Sequence, residues 1–342
     1  MTRWAVILAG GVGSRFWPLS TPLRPKQLLP LVSSQPLLAE TADRMRPLVP
    51  PERTLVLTNA SLAAPIADML PDLPDENVVI EPRPAGTGPA LVWAAREIAR
   101  RAGEDAVMIS VHADWAVGNA DRFRQTLVAA ADVAERHNAL VTVGIVPTRP
   151  DPGFGYIQPG EQVNGARRVT RFVEKPDSAT AERFIAQGFL WNSGIFVWRV
   201  RDLLHEVSEH APEIAPALVS ARSAEEFFSS VRAISIDHAV MERSAHALVL
   251  SGDFAWDDVG TWAALRRVRT GDDAGNAVAG AVYAVASSGN VVHAESGTVV
   301  MYGVSDLVVV AREGLTLVTT VERAADLKAL LEALPPAIRD LT

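Results

Sequence analysis

The chain has 342 residues, 48% hydrophobic and 21% charged, a composition that buries a sizeable core and predicts one large and one small domain. A net charge of −8 with no offsetting basic stripe argues against nucleic acid as a partner, and the lack of cysteine excludes disulfides, thiolate metal sites and cysteine nucleophiles. No apolar run reaches the roughly 18 residues of a membrane span, and the short N-terminal run does not read as a signal peptide, so the cytoplasm is the expected compartment.

Trp4–Leu8 has the length and branching of a buried strand, and it enters Leu8-Ala9-Gly10-Gly11-Val12-Gly13-Ser14-Arg15 directly. Closely spaced glycines leave backbone N–H groups open to an anionic oxygen array, usually a polyphosphate. Arg15 and then Lys26, within Arg24-Pro25-Lys26-Gln27, add two cations. A dinucleotide loop is excluded because Phe16 stands where its third glycine belongs. A P-loop is excluded because Ser14-Arg15 replaces the closing Gly-Lys-Ser/Thr. The loop therefore reads as a triphosphate site of another kind. The plainer alternative, a tight turn in a βα unit, explains the glycines but not the cations. Only three of the 32 basic residues are lysines, Lys26, Lys175 and Lys328. With arginine filling the generic surface roles, a lysine marks a place that needs a compact ammonium rather than a planar fork.

Further strands are predicted at Thr54–Leu57, Asn77–Ile80, Ala106–Val111 and Leu140–Ile145, with helices at Gln35–Arg46, Leu62–Met69, Pro89–Ala102 and Ala120–His137. Pro89 suits a first helical position, where its missing N–H costs nothing. This alternation predicts an α/β fold, a Rossmann-like, mostly parallel sheet covered on both faces, with ligands beyond the carboxyl ends of its strands. Residues of about 147–262, with strand runs Arg168–Val173 and Gly194–Val200, read as an elaboration supplying a second ligand's pocket. Gly271–Asn276 carries turn residues and reads as a linker. Beyond it, closely spaced runs at Ala281–Ala286, Gly289–His293, Thr298–Tyr302, Leu307–Ala311 and Leu315–Thr319 predict a small β-helix-like module, closed by a helix Glu322–Leu334. The predicted division is residues 1–270 and 277–342. The β-rich module is a candidate homodimer surface.

Asp114 follows the strand Ala106–Val111 through His112-Ala113, at the same edge as the glycine loop. A second carboxylate, Asp258, lies in Trp256-Asp257-Asp258-Val259-Gly260-Thr261-Trp262, where two tryptophans predict a rigid aromatic turn. Two carboxylates with phosphate oxygens suit magnesium, which keeps some of its waters. As structural alternatives, Asp114 is a turn cap and Asp258 a helix cap. Glu174-Lys175 and Trp191-Asn192-Ser193-Gly194 offer a carboxylate and an amide suited to sugar hydroxyls. Lys175 is a point charge for a sugar phosphate, and Gly155 is a bare backbone that a ligand can approach. Singly, these segments read as ordinary turns and loops. Lys328 reads as a solvated helix-face residue, and Asp237-His238 with Glu242-Arg243 as a helix surface and its packing.

In their order these motifs resemble the sugar-phosphate nucleotidylyltransferases, and within them the bacterial mannose-1-phosphate guanylyltransferases, from about Ala5 to Lys328. Leu8–Pro18 resembles the family's signature loop, and Pro25-Lys26-Gln27 its Pro-Lys pair with the glutamine of the guanylyl branch. Glu81-Pro82 through Thr87-Gly88-Pro89-Ala90 resembles the base-binding segment, and Ala113-Asp114 the metal-binding motif. Gly155-Tyr156-Ile157, Phe172–Pro176, Trp191–Phe196, Ser235–Arg243 and Trp256–Trp262 resemble later family segments. Two places depart from the pattern: Ala85-Gly86 stands for Arg-Asn, and His112-Ala113-Asp114-Trp115 for Pro-Ala-Asp-His or Pro-Ser-Asp-His.

The resemblance implies attack by mannose 1-phosphate on the α-phosphorus of GTP. It implies nucleotide binding by Leu8, Ala9, Gly10, Gly11, Gly13, Ser14, Arg15, Glu81, Thr87, Pro89 and Asp114, with Arg15, Lys26 and Asp114 catalytic. It further implies Mg²⁺ or Mn²⁺ on Asp114 and Asp258, a sugar-phosphate site of Gly155, Glu174, Lys175 and Asn192, and no room for the isomerase domain fused to some members. Another nucleotide or sugar 1-phosphate is the nearer alternative. A non-catalytic subunit that senses a nucleotide sugar is the remoter one.

Overall fold

The strands of the first half read as near-continuous Val, Ile and Leu, the pattern of a parallel sheet buried on both faces. The computed structural model describes residues 1–11 and 14–339. They group into two units. The first comprises Met1–Gly10, Thr41–Ala113 and Asn119–Trp256, and the second the described parts of Gly11–Glu40, Asp114–Gly118 and Asp257–Thr342. This grouping differs from a division at 270–277. Residues 11–40 and 257–270 join the C-terminal segment because Phe16, Leu29 and Trp262 share one apolar core with Val291 and Val310.

The first unit is built on a nine-stranded sheet. Val78–Glu81, Thr54–Asn59, Arg3–Leu8 and Val107–His112 lie side by side in that order, all parallel. Leu190–Arg199 follows, antiparallel to both Val107–His112 and Leu140–Ile145, and Ala247–Gly252 pairs in parallel with the latter. The antiparallel pair Ala166–Val173 and Tyr156–Val163 completes the sheet. The strand predicted at Gly194–Val200 thus begins four residues earlier, at Leu190, and carries Asn192 within it.

The predicted helices form with small shifts at their ends. Asn59 caps Ala60–Met69 by accepting from the Ser61 and Leu62 amides, and Asn119 caps Ala120–His137 by accepting from Arg122. Thr87–Ala102 begins two residues before Pro89, which is buried in its first turn rather than opening the helix. The start is fixed from outside, since the Gly88 amide donates to Ile234 O and the Thr87 hydroxyl accepts from the Ile236 amide. The buried face of this helix, including Leu91, Val92 and Ile98, packs on Trp4, Val6, Leu55 and Leu57 of the sheet. Each such side chain contributes about 1.5–3 kcal/mol of burial free energy.

In the second unit, Ala277–Val285, Val291–Tyr302 and Leu307–Arg312 pair in parallel, and Leu315–Thr320 returns antiparallel to Leu307–Arg312. The runs predicted separately at Gly289–His293 and Thr298–Tyr302 are one strand. The predicted closing helix Glu322–Leu334 is broken: a single turn, Arg323–Ala325, precedes a short helix, Lys328–Ala333. The break falls at Asp326, which is extended and whose carboxylate accepts from the Lys328 amide in an Asx turn just before the helix. Past Pro335 a further turn, Pro336–Arg339, begins at Pro336.

Candidate active site

Lys26 lies on a short helical turn after Pro25 and is buried, 6% exposed. A buried ammonium is costly unless its protons are taken up. Here Nζ donates to Asp114 Oδ2 at 3.0 Å and to the Asp258 carbonyl at 2.5 Å. One lysine therefore joins the two aspartates expected to bind metal. The Asp258 turn is held on both sides. Asp257 accepts from the Val259 amide at 2.9 Å and pairs with Arg267, and Trp262 is fully buried edge-on to Phe16 with its indole N–H on Trp17 O. A side chain at Gly260 would meet Asp258 Oδ2 at 2.8 Å and Arg15 Nη1 at 3.5 Å, which puts the exposed Arg15 guanidinium beside the same turn. Gln27, read in the sequence only as a branch marker, is buried and donates to the Gly11 carbonyl at 2.9 Å. It ties the glycine loop to the Lys26 turn.

In the first unit, Leu8 ends its strand and the Ala9 amide donates to Leu57 O, so the chain leaves the sheet at the carboxyl end as predicted. Glu81 ends the strand Val78–Glu81, on the far side of Thr54–Asn59, with Oε1 3.5 Å from where a Gly10 Cβ would stand. Burial pushes its carboxyl up to about 7. The departure at Ala85-Gly86 has a packing cause. Ala85 is fully buried, and Gly86 has φ +82°, where a Cβ would lie 2.6 Å from Ile234 O. Only glycine fits that approach. Gly13 and the side chain of Ser14 fall outside the described residues.

The four expected sugar-site residues come together in the same unit. A Cβ on Gly155 would lie 2.6 Å from Glu174 Oε2 and 3.4 Å from Asn192 Cβ, so this glycine makes room for a carboxylate. The Asn192 amide donates to Gly155 O at 2.8 Å. Lys175, exposed and at φ +45°, donates to Glu174 Oε1 at 2.5 Å. A fifth residue joins them. Asn192 Nδ2 donates to Asp237 Oδ1 at 2.7 Å, so Asp237 belongs to this cluster and not to a plain helix surface. Burial raises its pKa; the Asn192 bond acts the other way, and the charge of Glu174 raises it further. The signal available was the short Ser235–Arg243 motif, whose first acid follows a buried Ile236.

The donor set fits magnesium. Asp114 and Asp258 are two carboxylates, and the described residues contain no group of three His, Cys, Asp or Glu able to cage a metal. Magnesium is commonly held by one or two carboxylates together with substrate phosphates.

Residues 4–274 match the model of the nucleotidyl transferase family. The mannose-1-phosphate guanylyltransferase of Klebsiella pneumoniae is 36% identical over 96% of this chain and 73% of its own. That of Escherichia coli K12 is 37% identical over the same shares. The chain belongs to the mannose-1-phosphate guanylyltransferase family. It is an enzyme of the nucleotidyltransferase class. A solved structure from Thermus thermophilus, described as a mannose-1-phosphate geranyltransferase, superposes with a TM-score of 0.90 at 35% identity, covering 97% of this chain and 99% of that one. A UDP-glucose pyrophosphorylase structure from Acinetobacter baumannii, 16% identical with a TM-score of 0.51, shares the fold. No helix among the described residues is long and apolar enough to cross a membrane.

Proposed function

We propose that the chain transfers GMP from GTP to mannose 1-phosphate, giving GDP-mannose and pyrophosphate. The observation that carries this is the bridge of Lys26 between the Asp114 carboxylate and the Asp258 carbonyl. It concentrates charge for phosphoryl chemistry without a nucleophilic side chain. A phosphate oxygen of mannose 1-phosphate attacks the α-phosphorus of GTP, the bond from that phosphorus to the bridging oxygen breaks, and pyrophosphate leaves. No covalent enzyme intermediate is required, so catalysis rests on positioning and charge stabilisation.

In this reading, the backbone of Gly10 to Ser14 holds the triphosphate, Arg15 stabilises the departing pyrophosphate and Lys26 sits at the reacting phosphoryl group. Asp114 and Asp258 would hold Mg²⁺ or Mn²⁺, which neutralises phosphate charge when bound. Leu8 and Ala9 set the loop's exit, while Glu81 and the first turn around Thr87 and Pro89 serve the base. Gly155, Glu174, Asn192 and Asp237 take the sugar hydroxyls, and Lys175 its phosphate. A cytoplasmic location and a homodimer complete the proposal. The dimer rests on the exposed Tyr283 and Tyr302 of the C-terminal sheet, and gel filtration over a concentration series tests it.

A second reading, the same chemistry with another base or sugar, has one observation in its favour. Ala85-Gly86 is packed against Ile234, so that pair offers no side chain to the base and discrimination falls to Glu81. Pyrophosphate release over a matrix of four nucleoside triphosphates and several sugar 1-phosphates decides. The first reading predicts the highest kcat/KM for GTP with mannose 1-phosphate. A higher value for another pair supports the second, and release from no pair refutes both.

A further inference from the structure

The segment carrying Lys26 is held before that residue by Glu295 of the strand Val291–Tyr302 and after it by Arg269, which is itself bonded to Val292 and His293 of the same strand. Arg269 is buried, 8% exposed, and its guanidinium makes a three-way contact: Nε donates to Leu31 O at 2.6 Å, Nη1 to Val292 O at 3.2 Å, and Nη2 lies 2.8 Å from His293 Nδ1. No carboxylate among the described residues pairs with it. Burial accordingly pulls its pKa down to about 10. A buried cation without a counter-ion depends on hydrogen-bond acceptors to offset its lost hydration. His293, 5% exposed, supplies one as a neutral ring, its pKa pushed down to about 4 by burial and then by the charges of Arg269 and Arg24. Two residues on, Glu295 pairs with Arg24 at 2.5 Å. Alternation along a strand puts His293 and Glu295 on one face. The chain is therefore anchored at Arg24, two residues before Lys26, by Glu295 directly, and at Leu31, five after it, by Arg269 seated on His293. Trp262, edge-on to His293 at 5.9 Å, links the grip to the Asp258 turn.

We infer that Arg269, seated on His293, is a positioning residue that fixes the Lys26 ammonium from the C-terminal sheet, with Glu295 as a weaker second anchor. The inference rests on the role given to Lys26 above. It makes the β-rich module part of the catalytic apparatus instead of an appendage. The half-exposed Arg24–Glu295 pair contributes little, as surface ion pairs do. The buried arginine contributes most.

Lysine scarcity provides the test. Trace acetylation followed by mass spectrometry reads Lys26 against Lys175 and Lys328, whose side chains are 64% and 79% exposed and serve as internal references. Arg269→Leu is expected to raise the Lys26 ratio about tenfold, as local opening exposes a buried amine. It is also expected to lower kcat about ten- to a hundredfold with KM for both substrates within about twofold, the signature of a misplaced group. Should Arg269→Leu lose its far-UV circular dichroism, the His293 pair carries the test. His293→Asn keeps an acceptor at the Nδ1 position and should behave as wild type, whereas His293→Leu should behave as Arg269→Leu. An unchanged Lys26 ratio in folded Arg269→Leu or His293→Leu overturns the inference. A raised ratio with unchanged kcat upholds the positioning and refutes instead the catalytic role of Lys26.

Discussion

The two clusters of candidate residues, one in each unit, meet different recognition problems with different chemistry. In the first unit, Glu174, Asn192 and Asp237 form a hydrogen-bonding cluster in which a glycine, Gly155, clears the space a carboxylate needs. In the second, Lys26 is buried against two aspartates, with Arg15 beside the same turn. The first arrangement suits neutral hydroxyls, which require donors and acceptors in fixed places. The second suits dense charge, which requires cations that do not move during the reaction. Changes in the charge cluster should therefore act on turnover, and changes in the hydroxyl cluster on sugar affinity.

The sharpest break in that comparison would come from Asp258→Asn and Arg15→Ala. Each should lower kcat by about 10²–10³ with circular dichroism unchanged, the scale of losing one electrostatic stabiliser. Near-normal turnover in both purified variants would remove the charge cluster from the mechanism. The counterpart is Asp237→Asn, which keeps the shape and the contact to Asn192 but loses the charge. It should raise KM for mannose 1-phosphate about tenfold and leave KM for GTP unchanged, the cost of a hydrogen bond to a charged group. An equal effect on both constants would contradict the separation.

Glu81 gives a smaller effect with a definite sign. Its carboxyl is held at about 7 by burial, above the ordinary value of 4.5. A carboxylate must be ionised to accept from the N1–H and N2–H₂ edge of guanine. KM for GTP should then fall as pH rises from about 6 to about 8, and Glu81→Gln should flatten the profile at a higher KM. Stability runs the opposite way. Burial favours the protonated form, so this group's contribution is full below the ordinary carboxylate range and is lost as pH rises through about 7. The smallest effect belongs to Lys175→Ala, which removes the exposed cation assigned to the sugar phosphate and is expected to raise KM for mannose 1-phosphate about three- to fivefold with KM for GTP unchanged.

Much of this was legible in the sequence because strand and helix periodicity report burial directly. The parallel strands and the helices between them lie within a few residues of expectation, and the place of Glu81 at a strand end and of Ala9 and Asp114 just past strand ends follows from the chain's direction through them. Lysine scarcity pointed to Lys26, the one lysine of the three that is buried. The misses share a cause, in that each depends on a partner far along the chain. Gln27 gains its role from Gly11, Asp237 from Asn192 across 45 residues, and Arg269 from Leu31 across 238. The break at Asp326 was missed for the opposite reason, since a local Asx turn overrode an apolar period that continues through it.

The most direct test of the central claim is the single-turnover rate of pyrophosphate release from GTP and mannose 1-phosphate by Lys26→Arg. A fall of at least about a hundredfold is expected with GTP affinity nearly unchanged, because a rigid planar fork does not put its charge where the compact ammonium sits between Asp114 and the Asp258 carbonyl. A variant with full single-turnover rate would contradict it.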